Sequence, residues 1–415
     1  MFGSHFDPSD PAMADDRAPA ELRLVRGTLP DPEPVGEDEE LVARIRGEIE
    51  TDGPITFARF MERALYEPDH GYYRRTAAGP GRAGDFLTAP ETHPLFGAAL
   101  GRLLEEAWAA MNRPTPFTVT EPGAGTGALA AGLLGGLRDL GSPLFGAIRY
   151  RPVEVEAERL AEIRARLVEE GLAERLHPEP PHPDGETGAV VANEVLDALP
   201  VHRVIGRKGR LRELLVTWRD GAFVHVEGDP TDPRLAERLA VEGVEIGEGQ
   251  VTEVCLAIEP WLVEATAHLT RGMVVLVDYA DEPAPLHGSG RPAGTLRAFA
   301  RHAVGGDPFR HVGRQDLTAT VDLAAVRTAA ARVGLEPVGE TTQAELLAAV
   351  GSGELVQAFL TRPGANIGDA LELRSALVRL MDTRGMGAFR VLAYGRGMPP
   401  GVTLRGLARV ARHPG

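Results

Sequence analysis

Cysteine is almost absent from the chain, since Cys255 is the only one in 415 residues. A single thiol excludes an internal disulfide and a cysteine-rich metal site. Long apolar runs are missing as well. The run "MVVLV" at residues 273–277 is far shorter than the roughly 20 residues that span a bilayer. We therefore expect no membrane-spanning segment and no membrane partner.

Positive charge is also scarce, because 44 Lys and Arg stand against 60 Asp and Glu, a net charge of −16. Nucleic-acid binders need a clustered basic surface, so we expect no nucleic-acid partner. Residues 1–38 are rich in Asp, Glu and Pro, which predicts a disordered acidic tail. They lack the apolar core of a secretory signal and are too acidic for an organellar presequence. The expected location is the cytoplasm.

The rest of the chain shows a regular organisation. Helical patterns and a long covering loop occupy residues 39–112, and residues 113–200 alternate strands with helices. This alternation predicts an α/β fold with a parallel sheet covered on both faces. Residues 201–250 predict a β-rich insertion of two or three antiparallel strands, with turns at "GRKG" and "RDG". Residues 251–415 then resume the core and add a substrate-side loop and a C-terminal segment.

A glycine-rich stretch, "TEPGAGTGAL", follows the first predicted core strand. Glycines at 123, 125 and 127 allow the backbone to turn sharply and approach a ligand closely. With Ala128 the stretch satisfies a dinucleotide fingerprint. It equally fits the glycine loop of enzymes that bind S-adenosylmethionine. Glu121 favours the second interpretation, because a carboxylate suits a cationic ligand and sits poorly beside a pyrophosphate.

Glu154 ends the next predicted strand, roughly 30 residues further on. A carboxylate at that position can accept hydrogen bonds from both hydroxyls of a ribose. Its spacing favours neither cofactor, and a solvated acid at a strand end is the simpler alternative. Asp85 and Thr88 lie in a loop before the helix expected to pack beside the glycine loop.

The stretch "ANEVLDALP" places Asn193 and Glu194 just after the fourth predicted strand, where the reactive end of a cofactor would lie. Glu194 and Asp197 could orient a cationic or hydrogen-bond-donating acceptor and help to remove its proton. Alternatively, Asn193 caps a short helix whose acids favour the N-terminal dipole. His302 and His311 lack a local metal-ligand spacing, so we expect no metal site.

Several long stretches resemble the MidA-type S-adenosylmethionine-dependent methyltransferases, a family that includes a mitochondrial complex I assembly factor that methylates arginine. They occur in the family's order and cover about residues 40–345. The matching stretches are "GPITFARFMERALYEPDHGYY", "GDFLTAPETHPLFG", "EPGAGTGALA", "VEVEAERL", "VVANEVLDALPVHRV", "VDYA", "GTLRAFARH" and "GRQDLTATVD".

The resemblance implies a seven-stranded Rossmann-like core with an N-terminal helical extension and an insertion after the fourth strand. It implies that S-adenosylmethionine is the cofactor and that Asn193, Glu194 and Asp197 border the acceptor site. Thr320 departs from the family, which typically has a histidine there, so the resemblance does not by itself fix the acceptor. The residues expected to contact the cofactor are Asp85, Thr88, Glu121, Gly123, Ala124, Gly125, Gly127, Glu154 and Asn193.

The sequence thus predicts a methyltransferase that uses S-adenosylmethionine and acts on a guanidino nitrogen of a protein arginine. A small-molecule N- or O-methyltransferase is one alternative, and a cofactor-binding assembly factor without turnover is another. A nicotinamide dehydrogenase would require binding of NAD instead. The expected partner is a protein or small-molecule methyl acceptor, and a homodimer is one candidate assembly.

Overall fold

The computed structural model describes residues 36–75, 87–300, 303–305, 307–362 and 364–407. The first helices are α1 (Glu39–Asp52) and α2 (Phe57–Tyr66). Leu41, Ile45 and Ile49 recur every four residues and are buried, so one face of α1 packs inward. Residues 1–35 of the expected tail lie outside the described ranges. Asp38, the last residue of that predicted tail, is the N-cap of α1, and its Oδ1 accepts from the Leu41 N–H at 3.0 Å.

The next elements alternate as the sequence pattern predicts. They are α3 (Ala89–Thr92), α4 (Leu95–Ala110), β1 (Phe117–Pro122), α5 (Ala128–Asp139), α6 (Leu144–Ala147), β2 (Ile148–Val153), α7 (Ala157–Glu169) and β3 (Glu186–Asn193). Helix α4 lies against α5 so closely that a Cβ at Gly97 would stand 2.7 Å from the Leu133 nitrogen. Glycine at that position lets the two helices meet beside the glycine loop.

The β-rich insertion is a separate antiparallel sheet. Its hairpins turn where expected, at Lys208–Gly209 and Asp220–Gly221, and all four residues have positive φ. The sheet has four strands rather than two or three and extends past residue 250. Its last strand pairs with a partner nearly fifty residues away, so no local turn signals it. The elements are β4 (His202–Arg207), β5 (Arg210–Arg219), β6 (Ala222–Gly228), α8 (Arg234–Val241) and β7 (Val251–Val254).

The remaining chain completes the core. Its elements are α9 (Ile258–Ala265), β8 (Leu269–Asp278), β9 (Ala280–Asp281), α10 (Pro283–Leu286), β10 (Arg297–Ala300), β11 (Ala303–Gly305), β12 (Asp316–Thr318), β13 (Val321–Asp322), α11 (Leu323–Arg332), β14 (Glu336–Thr342), α12 (Gln343–Ala349), α13 (Ser352–Thr361), α14 (Ile367–Leu380) and β15 (Arg390–Arg396). Within the described ranges, no helix is long and apolar enough to cross a membrane.

The central sheet is mixed, in the order β14-β15-β8-β3-β1-β2. Strands β2, β1, β3 and β8 are parallel, whereas β15 runs antiparallel to both of its neighbours. One face packs on α4 and α5, and the other face of β3 and β8 packs on α9 and α11. The α/β class is therefore confirmed. The parallel strands direct their carboxyl ends to one edge, and that edge carries the glycine loop and the turn after β3.

The expected count of seven strands is not met, because the described residues contribute six strands to this sheet. Leu176 forms only an isolated parallel bridge with Tyr150 of β2, at the outer side of that edge strand. The segment after Leu176 reads "HPEPPHPDG" and contains four prolines. Proline has no N–H to donate to a ladder, so this segment cannot extend the bridge into a strand.

Candidate active site

The glycine loop joins β1 to α5 through residues 123–127. Gly123, Gly125 and Gly127 have φ values of 68°, 55° and 76°, all in the left-handed region. A residue with a side chain is strained in that region, so the shape of the loop depends on glycine at these positions. The Gly123 N–H donates to the Val153 carbonyl at 2.9 Å, which ties the loop to the end of β2.

Glu154 follows β2 directly and meets the middle of this loop. Its Oε1 accepts from the Gly125 N–H, and its Oε2 accepts from its neighbour's N–H, that of Val155, at 3.3 Å. Burial raises the pKa of the Glu154 carboxyl, whereas the Gly125 hydrogen bond opposes that rise. The glycine loop and Glu154, which the sequence predicts to bind one cofactor, therefore lie in contact.

Glu121 ends β1 and is only 3% exposed. The hydroxyl of Tyr150 donates to its Oε2 at 2.7 Å. Burial raises the pKa of Glu121 to about 8, because the charged form is poorly solvated there. A cationic group beside it would favour ionisation of this carboxyl, so Glu121 can respond to the charge of a ligand.

A cavity of about 600 Å³ opens beside the loop. This volume lies within the range of small-molecule and cofactor pockets. Two predicted site residues, Gly127 and Asp197, are not part of its wall, and Asp85 lies outside the described residues. The predicted residues that line the cavity are Thr88, Glu121, Gly123, Ala124, Gly125, Glu154, Asn193 and Glu194.

Glu194 follows β3 in a left-handed conformation, with φ of 53°. Its N–H donates to the Val277 carbonyl at 2.8 Å, which attaches the turn to β8. Its Oε1 accepts from the Asn193 side-chain amide at 3.0 Å, while Asn193 Oδ1 is buried without a partner. Burial and the nearby charge of Asp197 raise the pKa of Glu194 to about 8. The strained backbone thus holds a poorly solvated carboxyl at the cavity wall.

Asp197 lies behind that wall and is 6% exposed. Burial raises its pKa to about 6, and the Tyr279 hydroxyl lies beside it. Asp278, at the end of β8, accepts from the Leu196 N–H at 2.9 Å and from the Asp197 N–H at 3.3 Å. The turn after β3 is therefore fixed to β8. It forms no α-helix, so the alternative in which Asn193 caps one is wrong.

Two tyrosines that were not among the predicted site residues lie at the cavity, and one of them bonds to an aspartate of the predicted substrate-side loop. Tyr66 and Tyr73 line the cavity, and their rings stack with centroids 5.6 Å apart. The Tyr66 hydroxyl donates to the Ala198 carbonyl at 2.9 Å, and the Tyr73 hydroxyl donates to Asp316 Oδ1 at 2.9 Å. Asp316 is 1% exposed. All three lie in motifs that carried the family resemblance, but no local pattern distinguishes them from core residues.

The loop before α11 contains two histidines, His302 and His311. His302 lies outside the described residues. His311 belongs to no group of metal-ligating side chains among those described, and its Nδ1 is buried without a partner.

Comparison with known proteins identifies relatives. Residues 99–341 match the model of a family of S-adenosyl-L-methionine-dependent methyltransferases. The chain is 30% identical to the protein arginine methyltransferase NDUFAF7, mitochondrial, of Rattus norvegicus, over 71% of each chain. It is 28% identical to the corresponding Drosophila melanogaster homolog over 69% of each chain.

A solved structure is more similar still. The crystal structure of a COG1565 superfamily member from Burkholderia thailandensis, bound to S-adenosyl-homocysteine, is 36% identical. It superposes with a TM-score of 0.82 over 92% of this chain and 98% of that chain. The curated relatives are named as mitochondrial proteins. The cytoplasmic location and the homodimer stay predictions for this chain.

Proposed function

Because the chain belongs to the S-adenosyl-L-methionine-dependent methyltransferase family, we propose that it transfers the methyl group to a guanidino nitrogen of a protein arginine. The observation that best supports a guanidino acceptor is a group of buried carboxyls at the end of β3. This group consists of Glu194 and Asp197, and Asp316 lies near them. Relatives named as protein arginine methyltransferases support the same substrate class.

The residues around the glycine loop fit the cofactor. The left-handed glycines leave the loop free of side chains, and Glu154 sets a carboxylate against it for the ribose hydroxyls. The cationic amino-acid end of S-adenosylmethionine would favour ionisation of the Glu121 carboxyl. Bound there, S-adenosylmethionine supplies an electrophilic methyl group. These residues bind and orient it and keep water away.

The charged groups that act most strongly on Glu194 are two other carboxyls, those of Asp197 and Asp316. Burial raises the pKa of both Glu194 and Asp197, and the charge of Asp197 raises that of Glu194 further, so a cation beside Glu194 would favour its ionised form. A guanidinium stays charged at any ordinary pH and presents a planar fork of N–H donors. Paired charge-assisted hydrogen bonds from that fork would hold one nitrogen in line with the methyl group, and the Glu194 carboxylate would accept the proton that this nitrogen loses on methylation.

Asn193 and the stacked tyrosines complete the acceptor side. Asn193 Oδ1 is buried without a partner and can accept a further N–H from a guanidinium. The rings of Tyr66 and Tyr73 line the same cavity, where they can pack against the flat group and exclude water.

Methyl transfer from labelled S-adenosylmethionine into a cell lysate, fractionated by size, tests the proposal. We expect label in protein, with incorporation suppressed by excess S-adenosylhomocysteine. Label confined to small molecules would select a small-molecule methyltransferase instead. Absence of label, with the cofactor still binding in calorimetry, would select an assembly factor without turnover.

A further inference from the structure

A histidine and two carboxylates meet outside the cavity described above. Glu242 follows α8, His287 follows α10, and Asp322 is the N-cap of α11. One ligand atom from each lies within 4.8 Å of the other two. The three side chains are 4%, 2% and 12% exposed, respectively. Buried ionisable groups of this kind are normally paired or bound to a metal.

Each side chain is held so that one atom faces the centre of the cluster. Thr252 Oγ1 lies 2.7 Å from His287 Nδ1, which turns Nε2 toward the carboxylates. Asp322 Oδ1 accepts from the Ala324 N–H at 2.8 Å and so leaves Oδ2 to face His287. A hydrogen bond to the outer nitrogen is the usual support of a metal-binding histidine.

Glu242 supplies a second, independent observation. Its Oε2 is buried without a hydrogen-bond partner and lies 3.8 Å from His287 Nε2. Its other oxygen faces the Arg238 guanidinium, with the Nε atom 3.9 Å away. Without a cation the neighbouring carboxyls of Glu242 and Asp322 would have to share a proton, because two buried carboxylates repel each other and Glu242 Oε2 has no other hydrogen-bond donor among the described residues.

The spacing suits a bound cation. Ligand atoms about 2.1 Å from a tetrahedral Zn²⁺ lie about 3.4 Å from one another. His287 Nε2 stands 3.4 Å from Asp322 Oδ2 and 3.8 Å from Glu242 Oε2, so two of the three separations are close to that geometry. The two carboxylate oxygens lie within 4.8 Å of each other. A cavity of about 20 Å³, lined in part by His287 and Asp322, adjoins it. That space holds about one water-sized particle.

We propose that Glu242, His287 and Asp322 bind one divalent transition-metal ion, with Zn²⁺ as the best-matched ion. One imidazole nitrogen and two carboxylate oxygens are a ligand set that zinc accepts. None of the three residues lines the 600 Å³ cavity, so the ion would not touch the methyl-transfer site. It would join the β-rich insertion, through Glu242, to α10 and α11 of the core. The proposal is independent of the proposed acceptor.

Calorimetric titration of the tag-free, EDTA-dialysed full chain with ZnCl₂ tests this site. We expect one high-affinity ion per chain. His287→Gln and Glu242→Gln should each lower the affinity at least 10-fold. Asp322→Asn should do the same, although its side-chain oxygen still caps α11. His202→Gln is the control, because the His202 side chain is 15% exposed and pairs with Glu213 at 2.7 Å but belongs to no group of three metal-ligating side chains among the described residues.

Thr252→Val keeps the ligands and removes the hydroxyl that orients His287, so affinity should fall roughly 10-fold or more. This variant also keeps the test decisive if His287→Gln does not fold. Mutants that fold should lose the rise in melting temperature that Zn²⁺ gives the wild type. The proposal is overturned if the wild type binds neither Zn²⁺ nor Mn²⁺ at this stoichiometry. It is equally overturned if the ligand variants bind as tightly as the His202→Gln control.

Discussion

Glu194→Gln keeps the shape of the side chain and removes its charge. Glu194 lines the cavity, and Asp197 lies behind its wall. The backbone φ of Glu194, 53°, is one that glutamine can adopt at a similar energetic cost. The substitution therefore isolates the electrostatic role of the carboxyl. If a guanidinium is the acceptor, the variant loses a charge-assisted hydrogen bond at the reacting group.

The magnitude follows from that bond. A hydrogen bond to a charged group is worth about 1.5–3 kcal/mol, and about 2.7 kcal/mol corresponds to a 10²-fold change in rate. We expect kcat to fall by roughly 10²-fold. Affinity for S-adenosylhomocysteine should change less than about 3-fold, because Glu121 and Glu154 on the cofactor side stay in place.

The assay measures kcat with labelled S-adenosylmethionine and, separately, the Kd of S-adenosylhomocysteine by calorimetry. Glu158→Gln, on the exposed surface of α7, is the control and should match the wild type in both. Normal turnover by Glu194→Gln would refute the role of its charge. A large loss of cofactor affinity would instead move Glu194 to the cofactor side.

Gly125→Val should abolish cofactor binding in a folded protein, because Gly125 lines the cavity at a φ of 55°. Gly141→Val, at a similar φ of 65° but not in the cavity wall, should retain binding. Near-native affinity for S-adenosylhomocysteine in Gly125→Val would remove the loop from the site. Burial raises the pKa of Glu194 from 4.5 to about 8. Between pH 4.5 and about pH 8 the folded protein therefore binds more protons than the unfolded chain, and its free energy of unfolding falls as the pH rises. Denaturant unfolding should therefore show Glu194→Gln more stable than the wild type at pH 8 but similar near pH 5, and equal stabilities at both would contradict this. Asp38→Ala should lower the free energy of unfolding by about 1 kcal/mol through loss of the α1 N-cap, and an unchanged melting temperature would show that the cap is replaced.

Local sequence patterns predicted the parts of the fold that depend on the backbone conformation of a few neighbouring residues. The glycine loop and the two hairpin turns needed only left-handed backbone at named positions, and glycine marks such positions in a sequence. Glu154 was found because it ends a predicted strand next to the loop. The missing seventh strand could also have been foreseen, since the prolines after Leu176 were visible in the sequence.

Long-range contacts were beyond those patterns. Tyr73 and Asp316 are bonded across 243 positions, and nothing near either residue indicates the other. The proposed metal site combines three separate segments of the chain, which contribute Glu242, His287 and Asp322. No local spacing in the sequence therefore predicts that these residues meet. Asp197 was placed correctly in the turn after β3, but only tertiary packing shows that it lies behind the cavity wall.

Amino-acid analysis of labelled protein tests the proposed acceptor most directly. Protein methylated with labelled S-adenosylmethionine is hydrolysed, and the label is separated against standards of methylated amino acids. We predict that label co-elutes with methylated arginine and falls roughly 10²-fold when Glu194→Gln replaces the wild type. Label on methylated lysine, histidine or a carboxyl ester, undiminished in that variant, would contradict it.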